Sequence, residues 1–162
     1  MLDYADDLRT TVTRTAAALA TVPSVVAARR PAAGKWSAKE IIGHLVDSAS
    51  NNHQRFVRAQ FQEDLVFTGY EQDDWVRAQA YQDASWEDLL ILWRQFNLHI
   101  ARVIEVMPED VRLRLRSRHN LEQVAFRAVP ADQPATLDYF MRDYVDHLHH
   151  HLRQIRDMGL PA

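Results

Sequence analysis

Asp143-Tyr144-Val145-Asp146-His147-Leu148-His149-His150-His151-Leu152 holds four of the chain's eight histidines within five positions. The apolar residues Leu137, Phe140, Tyr144, Leu148 and Ile155 recur around it at three- and four-residue steps, the spacing of one buried helical stripe. A helix turns by about 100° per residue, so His147 and His151 fall on that stripe, one turn apart. His149 and His150 then project to other sides. The run separates into an inward i, i+4 pair, which can share one metal ion, and two outward rings that read as solvated or interface residues.

Working outward, the spacing predicts three more long helices. The first covers about Tyr4 to Thr21 and ends before Pro23; the second runs from Ala38 to about Ala59. Ser37 and Glu40 form a capping box at its start, and Trp36 with Ile41 has the spacing of a hydrophobic staple. After an aromatic connector with Phe61, Phe67, Gly69, Tyr70, Trp75 and Tyr81, a third helix begins near Ser85 and stops at Pro108. The histidine-bearing helix follows Pro134, with Thr136 as N-cap. Between the third and fourth helices, Val111-Arg112-Leu113-Arg114-Leu115-Arg116 alternates with period two, so this stretch, with Gln123 to Val129, reads as a small hairpin or an irregular excursion. Four amphipathic helices in residues 1–162 predict one all-α domain, a four-helix bundle, an architecture that builds metal sites from side chains on facing helices.

The inward histidine pair needs a third ligand, and the second helix offers His44 at the edge of the stripe Ile41, Leu45, Ala49, Asn52 and Phe56. Ser48, Asn51 and Arg55 continue from His44 as a polar strip. Three neutral imidazoles leave a fourth position for water or substrate, the pattern of a catalytic site. Asp47 and Asp143 each lie one turn from a candidate ligand; each reads as an outer orienter of an imidazole, a general base or a solvated helix charge. Asn51 and Arg55 are expected near the mouth of the site, where the guanidinium would meet a substrate carboxylate, or else bonded to a neighbouring helix. His53, His99 and His119 have no partner at ligand spacing.

Composition narrows the chemistry. The chain has no cysteine, which excludes disulfides, thiolate metal ligands and a cysteine nucleophile, and leaves imidazole and carboxylate as the strong metal ligands. A net charge of −3 gives no overall attraction to nucleic acid or anionic membrane, and Arg112, Arg114, Arg116 and Arg118 do not amount to a nucleic-acid patch. The start of the chain is charged from Asp3 onward and lacks the apolar core of a secretory signal, so a cytoplasmic protein is expected.

Gly34-Lys35-Trp36-Ser37-Ala38-Lys39-Glu40-Ile41-Ile42-Gly43-His44-Leu45-Val46-Asp47-Ser48 and the tail His147-Leu148-His149-His150-His151-Leu152-Arg153-Gln154-Ile155 resemble the DinB-like superfamily, especially its YfiT-like metal-dependent hydrolases. Asn51, Arg55-Phe56, Tyr70 and Trp75 add to the match, whereas the segment from Arg112 to Val129 departs from it. The resemblance implies a four-helix bundle with a divalent ion, zinc or nickel, on three histidines, and the matching positions are His44, His147 and His151. It also implies relatives that transfer low-molecular-weight thiols such as bacillithiol or mycothiol.

The expected function is therefore metal-dependent transfer or addition of a low-molecular-weight thiol to an electrophilic small molecule. A chain without cysteine would take its sulfur nucleophile from a cosubstrate, and a metal would favour the thiolate. The alternatives are a hydrolase using metal-activated water and a non-enzymatic stress-related binding module. A homodimer is compatible with either.

Overall fold

The computed structural model describes residues 2–162. Its helices, in chain order, are α1 (Asp3–Leu19), α2 (Ser24–Ala27), α3 (Ala38–Arg58), α4 (Gln72–Ala78), α5 (Trp86–Val106), α6 (Glu109–Leu113), α7 (Leu121–Val124) and α8 (Leu137–Asp157). The long ones, α1, α3, α5 and α8, form the expected four-helix bundle. No helix is long and apolar enough to cross a membrane.

The helix starts follow from local chemistry. Ser37 Oγ accepts the Glu40 N–H at 3.3 Å while the Glu40 carboxylate accepts the Ser37 N–H at 2.9 Å, a closed capping box that fixes where α3 begins. Ser85 caps α5 through the Asp88 N–H at 3.3 Å, and Thr136 caps α8 through the Tyr139 N–H at 3.1 Å.

Side-by-side packing runs α1–α5–α3–α8 and closes back on α1. Consecutive long helices α1 and α3 therefore lie across a diagonal, as do α5 and α8, and the segments joining them pass over the bundle ends. Trp93, Phe56, Phe140, Leu8, Ile41, Ile100 and Ile104 are among the side chains sealed in the core. The α3–α5 and α5–α8 connections rise together on one side of α3 and α8. They are stitched by a parallel bridge between Leu65 and His119, and an antiparallel bridge between Arg116 and Ala135 closes the base of the second connection.

The hairpin alternative for the Arg112 to Val129 segment is not what forms. Pro108 followed by Glu109 and Asp110 favours a helix start, and residues 109–113 make the short helix α6. The alternating arginines do not share a solvent face. Arg112 turns inward to an ion pair with Asp138, and Arg116, also buried, donates to the backbone carbonyls of Ala59, Val111 and Arg114. Apart from the single bridge at Arg116, tertiary acceptors satisfy this stretch, which is an irregular excursion carrying two short helices.

Candidate metal centre

Burial of the stripe Ile41, Leu45, Ala49 and Phe56 sets how α3 is rotated, and that phase turns His44 into the bundle, where it is 1% exposed. The i, i+4 spacing on α8 brings His147 and His151 to the same point. His44 Nε2 lies 3.3 Å from His147 Nε2, which lies 3.0 Å from His151 Nε2, and the three ligand atoms are all within 4.8 Å of one another. A tetrahedral zinc ion with bonds of 2.0–2.1 Å would separate its nitrogen ligands by about 3.3 Å.

The outer ring nitrogens decide what the inner ones offer. His151 Nδ1 donates to Gln154 Oε1 at 2.8 Å, and His147 Nδ1 faces Ser48 Oγ at 3.4 Å. The Gln154 contact leaves the His151 Nε2 lone pair free and aimed at the His147 ring, as a metal ligand's would be. His44 Nδ1 is buried without a hydrogen-bond partner. Its ring is instead held by Trp36, whose centroid is 5.0 Å away and which also lies 6.3 Å from His151. Burial, with a smaller contribution from the neighbouring imidazole, pushes the His44 pKa down to about 3. Burial pulls His151 down to about 4 and holds His147 well below the usual histidine range. All three are neutral at physiological pH, the form that ligates. The donor set, its spacing and its protonation thus fit a divalent ion.

Two clefts meet at these rings. The larger, of about 930 Å³, includes His44, Ser48, Asn52, Arg55 and Tyr70 in its wall; the second, of about 710 Å³, includes Lys35, Trp36, His150, His151 and Gln154. Gln72, Phe126 and His147 line both. The Phe126 ring stands 5.6 Å from His147 and 5.1 Å from His150, a partition between the clefts. Asp143 holds it there, accepting the backbone N–H groups of Phe126 and Arg127, each at 2.7 Å. Tyr139 OH on Arg127 O and an Arg127–Asp146 ion pair add to this clasp.

The sequence-derived residues divide accordingly. His44, His147 and His151 converge. Arg55 lines the larger cleft, and beside it stands Asn52; Asn51 instead donates to the Asp47 carbonyl of its own helix at 2.9 Å. Asp47 lines neither cleft: its Oδ1 accepts from Tyr81 OH at 2.7 Å and Gln79 Nε2 at 2.6 Å, while Oδ2 is buried without a partner, and burial raises its pKa. His149 reaches Asp7 on α1 at 2.8 Å, whereas His150 enters the wall of the second cleft. His53 and His99 meet across α3 and α5 with ring centroids 5.1 Å apart, and His119 is a structural residue donating to Gln133 O at 2.6 Å while accepting the Leu121 N–H. Trp36, Phe126 and Gln154 were not legible as site residues. Only Gln154, one helical turn beyond His151, carried a spacing signal that could have marked it.

The sequence profile of the DinB superfamily matches residues 7–155. The chain belongs to this superfamily. Among solved structures, YfiT from Bacillus subtilis, described as a probable metal-dependent hydrolase with an unusual four-helix bundle topology, superposes with a TM-score of 0.78 at 18% identity, covering 96% of this chain and 83% of that one. At this identity the likeness shows a shared fold. No curated protein matches the chain.

Proposed function

We propose that this DinB-superfamily protein is a metal-dependent enzyme that joins a low-molecular-weight thiol to an electrophilic small molecule, each reactant entering by its own cleft. The observation that carries this reading is the pair of clefts that meet at one three-histidine face, divided by Phe126 and Gln72. A divalent ion there, zinc or nickel, would leave an open position at which a thiol is favoured as thiolate at neutral pH. The chain's own residues orient and shield. Gln154 fixes the His151 tautomer, Ser48 contacts the His147 ring, Trp36 covers His44 and His151, and Phe126 limits contact between the reactants to the neighbourhood of His147. The thiol proton departs with the acceptor's leaving group as one C–S bond forms, so no oxidant is needed. Asp47, tied to Tyr81 and Gln79, enters as a positioning residue for α3.

A second reading is hydrolysis, favoured by the likeness to YfiT with its description as a probable metal-dependent hydrolase. It needs only that the open position activate water. The deciding experiment loads the protein with cobalt, adds 2-mercaptoethanol and follows both the thiolate-to-metal charge-transfer band and the turnover of 1-chloro-2,4-dinitrobenzene. A band with thiol-dependent turnover supports transfer. Silence toward thiols, with thiol-independent cleavage of p-nitrophenyl acetate that disappears in His147→Ala, replaces transfer with hydrolysis.

A further inference from the structure

Arg55 is a buried cation without an anion. It is 7% exposed, and among the described residues no carboxylate lies within 4.0 Å of its guanidinium. Glu71 and Asp143 line the same cleft, but Asp143 is committed to backbone amides and neither pairs with Arg55. The guanidinium donates to Thr68 O at 2.8 Å and, loosely, to Asn52 Oδ1 at 3.4 Å. Of the five N–H donors an arginine carries, about three are then without a protein acceptor among the described residues. Burial lowers the Arg55 pKa, with an opposing contribution from Tyr70.

The walls around it are aromatic. Phe67 and Phe140 stack at 5.4 Å and 16°, with the Arg55 guanidinium carbon 5.9 and 6.0 Å from their centroids. Asn120 holds the Phe67 backbone at both its N–H and its C=O, so this wall is fixed before any ligand arrives. Arg55 lies eleven residues beyond His44 on α3, about 16 Å of helix rise, and its side chain leans back toward the imidazoles through the Asn52 contact.

We infer that the Arg55 end of the larger cleft is a binding site for the carboxylate of a small organic acid, whose apolar stem lies along Phe67 and Phe140 toward the three histidines. The inference rests on the reading above only in taking that acid to be one of the two reactants. An exposed arginine would tell little; a pre-set, buried guanidinium with spare donors favours a planar carboxylate.

The test uses cobalt-loaded protein at fixed ionic strength and compares 4-phenylbutyrate with its neutral amide by calorimetry, while the cobalt spectrum reports any direct ligation. Wild type should bind the acid about ten- to hundredfold more tightly than the amide, with the spectrum unchanged. Arg55→Met should abolish the preference and Arg55→Lys should keep part of it; metal content and melting temperature verify that each variant is folded. Equal affinity for acid and amide in wild type overturns the site without recourse to any variant. So does a preference that survives in folded Arg55→Met, or an acid that alters the cobalt spectrum as a ligand. 2-Mercaptoethanol and 3-mercaptopropionate keep the two proposals apart: if neither thiol perturbs cobalt while the acid preference stands, thiol transfer falls and the carboxylate site remains.

Discussion

Gln154 bears on the three-histidine cluster through one contact, its Oε1 accepting from His151 Nδ1 at 2.8 Å, while its Nε2 lies 3.3 Å from His150 Nε2, outside the cluster. Removing a hydrogen-bond partner that fixes a ligand's tautomer weakens metal affinity by about 10–100-fold. Gln154→Ala should show a loss of that size in a competitive chelator titration, and Gln154→Glu should recover most of it; an unchanged affinity in Gln154→Ala would remove the orienting role. The ligands themselves should separate sharply from their neighbours. Alanine at His44, His147 or His151 should take away most of about one divalent ion per chain, whereas His149→Ala with His150→Ala should leave elemental content intact, since those rings bond to Asp7 and Gln154 instead. Full occupancy in all three ligand variants would dismantle the site. Asp47→Asn, which keeps the shape of the Tyr81 and Gln79 contacts, should retain the ion and lose less than about tenfold in turnover; a loss of several hundredfold with metal retained would make Asp47 a base after all.

Elements meet at Gly43, where α3 and the segment after α4 approach too closely for any side chain. A Cβ there would sit 2.2 Å from the Tyr81 ring, whose hydroxyl bonds Asp47 one turn later. Gly43→Ala must therefore push that segment away from α3, at about 1–3 kcal/mol. For a chain of this size each kcal/mol lowers the melting temperature by about 2–4 °C, so calorimetry should show a fall of several degrees; an unchanged melting point would mean that Tyr81 moves freely. The Asp143 clasp works at the same scale. It ties the segment after α7 to α8, and its loss in Asp143→Ala should increase hydrogen exchange at Phe126 and Arg127 without altering α8 itself.

At the scale of the whole molecule, burying three imidazoles makes stability depend on pH. Unfolded, each titrates near 6.5; folded, His44 does so at about 3 and His151 at about 4, with His147 also far below the unfolded value. Below pH 6.5 the unfolded chain takes up protons that the folded chain refuses, so stability is greatest above that pH and declines as pH falls toward 4. Each histidine contributes a slope of at most about 1.4 kcal/mol per pH unit. Urea denaturation of metal-free protein at pH 7 and 5.5 should show this decline, and His147→Gln should make it shallower. A wild-type stability that is flat or rises on acidification would contradict the buried neutral cluster.

The four long helices and the inward pairing of His147 with His151 were readable from sequence, because each is a property of one element; that His44 meets that pair depends on how α3 packs against α8. Capping at Ser37 and Thr136 sets where these helices start and the 3.6-residue apolar periodicity sets their phase, which alone separates His147 and His151 from His149 and His150. Tertiary structure decided what depends on contacts between elements distant in the chain. The Val111 to Arg116 alternation resembled a strand, but carbonyls and carboxylates elsewhere in the fold captured its arginines. Asp47 and Asp143 stood beside ligands in sequence yet turned to Tyr81 and to the Phe126 backbone, and Asn52, not Asn51, reached the cleft. Trp36 and Phe126 became walls of the three-histidine cluster only when the α1–α3 and α5–α8 connections crossed the bundle, a placement that local spacing does not encode because it depends on which helices pack side by side.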